Sequence, residues 1–386
     1  MAITIDTSIP CGNACEIEVT ETGGTTEVRF APDPHGGPEC LWFCFRIRAD
    51  GPQRGGTVKL VLKHFYNALA APEGKDLRPV VKADGGDWSR LPAGTMEPLA
   101  DGRFHVTWTL PAPKRTADVA LCYPYARTEL DALVDETDGY WRADVIGVSQ
   151  AARPLLRLSN SVGEAGSDRP GLYVVARQHS GETPGSWVLD GFLRHLAARG
   201  DDAPLVWAVP LTNIDGIEQG DYGKDNFPYD LNRSWGQPPM RHEVLVFQRD
   251  VARWTRRCRP VLGMDFHAPG GTETSGAYLY LPKCEDFPEP HASAAALAEA
   301  LAEALTEQYA AADFARVATY ASRWESPTFT EFCCRQAIPA LSLETPYALA
   351  GDTLLTRQEY RRIGERIAAR VCERFPRGAP EHAPPQ

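Results

Sequence analysis

Val58, Leu60 and Leu62 alternate with Lys59 and Lys63, the period-two pattern of a strand with one buried face. Similar short runs recur before residue 125: TEVRF (26–30), CLWFCFRIRA (40–49), GTVKLVLKHF (56–65), RFHVTWTL (103–110) and ADVALCY (117–123). Gly, Pro and Asp break them, and almost no helical period intervenes. This part is expected to form an antiparallel β-sandwich or jelly-roll-like domain, followed by a bridging helix near 128–135. The pattern changes near 125 and again near 160.

Beyond 160, strands alternate with helices. GLYVVARQ (171–178), APLVWAVPL (203–211), RPVLGMDFH (259–267) and IPALSLETP (338–346) read as buried strands. Thr183 and Pro184 give an N-cap and a first-turn proline for a helix running to Gly200. Further helices are expected over 240–258, 293–312 and 355–375. This alternation predicts an α/β domain with a mixed, largely parallel sheet flanked by helices. The expected division is 1–125 for the sandwich, 126–376 for the α/β domain and 377–386 for a proline-rich disordered tail.

Composition narrows the classes. The chain has 386 residues, 40 basic against 51 acidic, for a net charge of −11. That argues against a nucleic-acid partner, which needs a basic footprint. No run of about eighteen apolar residues occurs, so no membrane span is expected. Asp6 and Glu16 interrupt the first twenty residues, which lack a signal h-region. The ten cysteines are scattered without a CxxC pair. Reduced thiols in a cytoplasmic protein are the expectation. The sequence leaves a homo-oligomer open.

Three stretches put reactive side chains at the ends of buried strands, where open α/β sheets place ligands. They are His179-Ser180-Gly181-Glu182, Asp265-Phe266-His267 and Glu344. Two imidazoles and a carboxylate make a catalytic zinc shell with one position open for water. His179, Glu182 and His267 are the candidate ligands. Glu344 is left as a base beside them. HxxE alone is weak; three stretches at one sheet edge are stronger than their parts. Asp265, two before His267, shares its side of the strand and is a candidate to orient that imidazole, or else makes a plain strand-end hydrogen bond. His242-Glu243 resembles the start of HExxH, but Val246 stands where the second histidine belongs, so the pair reads as a solvated helix face. Gly270, Gly271 and Gly276 read as a flexible turn. Neither GxxxxGK[ST] nor GxSxG is present.

RQHSGETPGSW, VPLTNIDGIEQGDY, DLNRSW, MDFHA and PALSLETPY resemble successive motifs of the M14 zinc carboxypeptidases. They are most similar to the cytosolic carboxypeptidase subfamily, whose members carry a small β-sandwich before the catalytic domain. LWFCFRI and VALCYPYARTELDAL resemble that amino-terminal part. The resemblance implies one zinc per chain on His179, Glu182 and His267, with Glu344 as general base and acid. It implies Asn232 and Arg233 as the group holding a substrate's terminal carboxylate. Arg233 offers the bidentate fork that a carboxylate needs.

The implied activity is hydrolysis of the C-terminal amide bond of a substrate with a free carboxylate. The alternatives are an amidohydrolase or deacylase acting on a small modified amino acid or metabolite, and a non-catalytic pseudo-peptidase. Two departures bear on specificity. Gly223 stands where relatives place an oxyanion-supporting arginine, with Lys224 beside it as a candidate point charge; Gly181 stands where digestive members carry an arginine. Tyr320 is a candidate for the substrate-capping tyrosine by position only.

Overall fold

The computed structural model describes residues 3–51, 56–64, 77–226, 229–283, 287–317 and 327–377. Tyr320 and residues 378–386 of the expected tail lie outside them.

The first part of the chain is two five-stranded sheets. Its strands are β1 (Ile3–Asp6), β2 (Cys15–Thr22), β3 (Thr25–Ala31), β4 (Cys44–Ala49), β5 (Thr57–Leu62), β6 (Val80–Ala83), β7 (Ser89–Arg90), β8 (Thr95–Pro98), β9 (Phe104–Pro111) and β10 (Thr116–Ala120). One sheet has the order β1-β4-β10-β6-β7, the other β2-β3-β5-β9-β8. Pairing is antiparallel except between β3 and β5, which run parallel. The alternation read in β5 holds only at its start: Val58, Leu60 and Leu62 are buried as expected, but Val61 and Lys63 are buried as well, so the far end of the strand is covered on both faces. Phe30, Phe43 and Phe45 meet edge to face in the core, the arrangement that ring quadrupoles favour.

Helix α1 (Arg127–Glu136) lies where the bridging helix is expected and leads to β11 (Arg142–Val148) and β12 (Pro154–Ser159). The chain continues through β13 (Pro170–Ala176), α2 (Thr183–Arg199), β14 (Leu205–Val209), α3 (Ile214–Gln219), α4 (His242–Trp254), β15 (Arg259–His267), β16 (Ala277–Leu281), α5 (Pro288–Tyr309), β17 (Ala310–Val317), α6 (Phe329–Arg335), β18 (Ala340–Glu344) and α7 (Arg357–Arg374). The eight-stranded sheet has the order β11-β12-β14-β13-β15-β18-β16-β17. Its centre, β14-β13-β15-β18, is parallel. The expected mixed, largely parallel α/β sheet is therefore present. β13 is buried at every position, as a strand covered on both faces must be.

Side-chain parity assigns the covering helices. Phe266 meets Phe192 of α2. Tyr173 meets Trp254 of α4 and Phe329 of α6 on the other face. Helices α2 and α7 approach at Gly191 and Gly364, where an added Cβ would collide with backbone of the facing helix. Gly364→Ala is expected to destabilise by roughly 1–3 kcal/mol through overpacking, despite alanine's better helix propensity. A lowered melting temperature checks this; an unchanged or raised one contradicts the close crossing.

Several expectations need correction. The helix over 293–312 ends at Tyr309, because Ala310–Val317 pairs with β16 as a strand. Strands β11, β12, β16 and β17 and helices α3 and α6 carried no pattern read from the sequence. Glu182, not Thr183, occupies the N-cap of α2, and Thr183 is its first residue. Glu243 is not solvated: it is buried and accepts from Arg241 Nε at 3.2 Å and Gln150 N at 3.0 Å. His242 beside it is exposed, as expected.

Candidate metal centre

The parallel strands β13, β15 and β18 end together. The register pairs Ala176 with Phe266, and His267 with Glu344. The loop after β13 therefore delivers His179 and Glu182 to the edge where His267 and Glu344 arrive. His179, Glu182 and His267 are all buried, and one potential ligand atom from each lies within 4.8 Å of the others. His179 Nδ1 is 2.9 Å from Glu182 Oε1, and His267 Nδ1 is 2.7 Å from Glu182 Oε2. Both rings thus turn Nδ1 toward the same carboxylate.

Their far nitrogens are held by two more carboxylates. His179 Nε2 meets Asp230 Oδ1 at 3.2 Å, and His267 Nε2 meets Asp265 Oδ2 at 2.7 Å. Carboxylates behind imidazoles fix ring orientation at metal sites. Asp265 makes the contact expected of an orienting carboxylate. Asp230 carried no signal by itself, although it opens the DLNRSW stretch. It also accepts from Asn232 N at 2.8 Å and Asp225 N at 2.9 Å, so the loop that positions Arg233 is built around it.

Charge supports a cation here. Burial works against the Glu182 carboxylate, but His179 and His267 hold it well below the usual range. Burial likewise opposes Asp230, and His179 outweighs it, lowering the group to about 2. Three carboxylates around two imidazoles suit a divalent ion. The donor set, two nitrogens and one carboxylate, is that of a catalytic zinc site. The residues therefore fit a metal. Asp265 Oδ1 is buried with no hydrogen-bond partner, so its second lone-pair set is unused by the protein. Asp230→Asn is expected to weaken metal affinity by about 10–100-fold. A titration of metal-free protein with a competing chelator reads this; unchanged affinity would remove Asp230 from the site.

Two residues that the sequence did not single out shape the metal-binding loop. Arg177 is buried, with φ 64 in the left-handed region. Its guanidinium donates to the Ser180 carbonyl through Nε at 2.8 Å and Nη2, and to the Tyr125 carbonyl through Nη1. A bulky residue in that backbone region persists only where its surroundings compel it. Gln178 donates to Asn232 Oδ1 at 3.0 Å and to Asp265, and accepts from Trp235 Nε1 at 2.6 Å. It ties the RQHSGETPGSW, DLNRSW and MDFHA stretches together.

The cluster lines a cavity of about 730 Å³ that also contains Glu344, Arg233, Asn232 and Lys224. Glu344 is partly exposed. Desolvation pushes its carboxyl up to about 7; His267 offsets part of that rise and Glu182 adds to it. Among the described residues it makes no direct ion pair with Arg335 or Lys224, although the Lys224 charge also works against the rise. Lys224 instead meets Glu39, from the first part of the chain, at 3.4 Å. Arg233 is buried, with Nη1 donating to the Asn232 carbonyl at 3.0 Å. Asn232 Oδ1 accepts from Phe329 N at 3.1 Å as well as from Gln178, while its Nδ2 lies 3.0 Å from His267 Nε2. The Asn232 amide is thus engaged by the protein.

The glycine at the expected arginine position has a steric cause. Gly223 has φ +87, and an added Cβ would stand 2.6 Å from Ser180 N. No arginine fits there without moving the metal-binding loop.

Residues 5–121 match the family described as the cytosolic carboxypeptidase N-terminal domain. Zebrafish (Danio rerio) cytosolic carboxypeptidase 2 is 26% identical over 315 residues, covering 72% of this chain and 42% of the relative. Mouse (Mus musculus) cytosolic carboxypeptidase 6 is 34% identical over 269 residues, covering 63% and 48%. The chain thus spans about half the length of these relatives. A metallo-carboxypeptidase from Burkholderia cenocepacia shares the fold with a TM-score of 0.75 at 19% identity, covering 96% of this chain and 98% of that one. One from Pseudomonas aeruginosa, in complex with (2-guanidinoethylmercapto)succinic acid, gives 0.72 at 20% identity, with the same coverage. The chain is therefore related in sequence to the cytosolic carboxypeptidases, and in fold to the M14 metallocarboxypeptidases.

Proposed function

We propose that the chain is a zinc-dependent metallocarboxypeptidase that hydrolyses the C-terminal amide bond of a substrate bearing a free carboxylate. The observation that carries this reading is the convergence of His179, Glu182 and His267 beside Glu344 and Arg233 in one cavity. His179, Glu182 and His267 would hold one zinc ion. Bound there, zinc would acidify a water molecule and polarise the scissile carbonyl.

The remaining roles fall to side chains. Glu344 takes the proton from the attacking water and returns it to the leaving amine nitrogen. Arg233 binds the terminal carboxylate and so sets which bond reaches Glu344. Asp230 and Asp265 keep the two imidazoles turned toward Glu182. The engaged Asn232 amide supports the His267 ring and the Arg233 loop, which leaves the carboxylate chiefly to Arg233. Lys224 adds positive charge at the cavity wall, moderated by Glu39.

The proposed division is a β-sandwich over 1–125 and a catalytic domain over 126–376. A cytoplasmic location rests on the named relatives. No described helix is long and apolar enough to cross a membrane.

Turnover on paired blocked dipeptides and N-acyl amino acids tests the function. Release of the C-terminal residue from dipeptide acids, but not from their amides, supports the proposal. Turnover confined to N-acyl amino acids would instead establish the small-metabolite activity, and a metal-loaded protein inert on the whole panel would contradict the peptidase reading.

A further inference from the structure

A second hollow, of about 580 Å³, shares no lining residue with the candidate metal centre. It lies at the opposite end of the parallel strands. Its basic wall comes from Arg253 in the last turn of α4 and from Arg256 and Arg257 just before β15. β15 starts at Arg259 and ends at His267, a span of roughly 26 Å at 3.3 Å per residue.

Arg157 and Trp207, on the neighbouring strands β12 and β14, also line it, and Val162 and Ala165 add a small apolar part of the wall. Arg157 is 7% exposed, and its guanidinium lies 3.7 Å from the centre of the Trp207 ring. Nη1 donates to Asp250 and Nη2 to Asp144, both at 2.8 Å. Asp144 is further met by Arg142 at 2.8 Å. This part of the wall is rigid and close to neutral. Arg157 Nε, however, is buried with no hydrogen-bond partner.

The rim is different. Arg253, Arg256 and Arg257 are exposed; Arg253 lies in the last turn of α4, and Arg256 and Arg257 follow in the turn that leads into β15. Among the described residues none of the three forms an ion pair; Arg257 Nη1 donates to the Gly163 carbonyl at 3.3 Å. A cation near a helix C-terminus offsets the macrodipole. Three guanidinium groups exceed that need, in a chain whose net charge is −11. A concave site of one sign concentrates ions of the other. The volume lies in the range of small-ligand sites. Planar guanidinium forks match phosphate oxygens bidentately, where lysines would act as point charges.

We propose that this hollow binds a small anion carrying two or more linked phosphates. Inorganic polyphosphate and the phosphate chain of a nucleotide share that chemistry. The site is remote from the proposed catalytic residues and does not depend on the carboxypeptidase reading.

The test is calorimetric titration of the full metal-loaded chain with inorganic tripolyphosphate, a nucleoside triphosphate and citrate at matched ionic strength. Wild type is compared with the Arg253→Gln/Arg256→Gln double variant. Loss of two charge-assisted contacts should weaken tripolyphosphate binding by roughly 10–100-fold, with turnover of a small substrate unchanged. Chelation of the metal would act alike on both proteins, so their difference reports the rim. A nucleoside triphosphate binding more tightly than tripolyphosphate makes the ligand a nucleotide; the reverse order makes it polyphosphate. Equal affinity of wild type and variant, no saturable binding at millimolar anion, or citrate binding as tightly as tripolyphosphate overturns the proposal.

Discussion

Glu344→Gln is expected to lower the single-turnover rate by about a hundred- to ten-thousand-fold while leaving zinc bound. The substitution keeps the shape but replaces one basic oxygen by an amide NH2, which donates and cannot take a proton. Zinc stays because His179, Glu182 and His267 are untouched. Glu344 ends β18 opposite His267 in the parallel register and, among the described residues, makes no direct ion pair with Arg335 or Lys224. A carboxylate whose desolvation outweighs the pull of His267 and Lys224, and which touches neither cation directly, is poised to take a proton. If its role were structural, the variant would lose melting temperature and keep its rate. Measuring zinc content, melting temperature and single-turnover rate on one preparation separates these outcomes. A normally melting, zinc-loaded variant within about threefold of wild type, far from a general-base loss, would take Glu344 out of the mechanism.

Arg233→Ala should cost roughly 2–5 kcal/mol of binding for substrates with a free terminal carboxylate. The effect follows from leaving that carboxylate desolvated without its fork. Arg233 is buried on a short 3-10 turn, Leu231–Arg233, whose first-turn amide is capped by Asp230. The same aspartate braces His179, so carboxylate recognition and the metal ligands share one support. Corresponding amide substrates should hardly respond. Equal losses for acids and amides would make Arg233 a structural residue.

The sheet edge bearing these groups was legible because β13, β15 and β18 are buried on both faces and read as continuous apolar runs. β15 spans Arg259–His267, as expected. Asp265 was legible from strand parity, which put it beside His267. Asp230 was not, because it acts on a histidine 51 positions away through a loop without periodicity. Arg177 was hidden because its partners are backbone carbonyls, which no side-chain pattern announces. The end of α5 was misread because alanines favour helix, whereas pairing with β16 decides the state of Ala310–Val317. β11 escaped because exposed positions interrupt it. Glu243 looked solvated because helical spacing does not reveal that Arg241 and Gln150 close over it. The missing arginine at Gly223 was visible as a departure; its cause, a left-handed backbone pressed against Ser180, was visible only in three dimensions.

The central claim is that His179, Glu182 and His267 form a single zinc site. Its most direct test is metal analysis of wild type and His267→Ala after dialysis against a weak chelator, with folding verified by the melting curve. About one zinc per wild-type chain and a folded variant that has lost it are predicted, because two remaining ligands do not complete a catalytic zinc shell. Full zinc occupancy in His267→Ala, or none in wild type after zinc loading, would contradict the account.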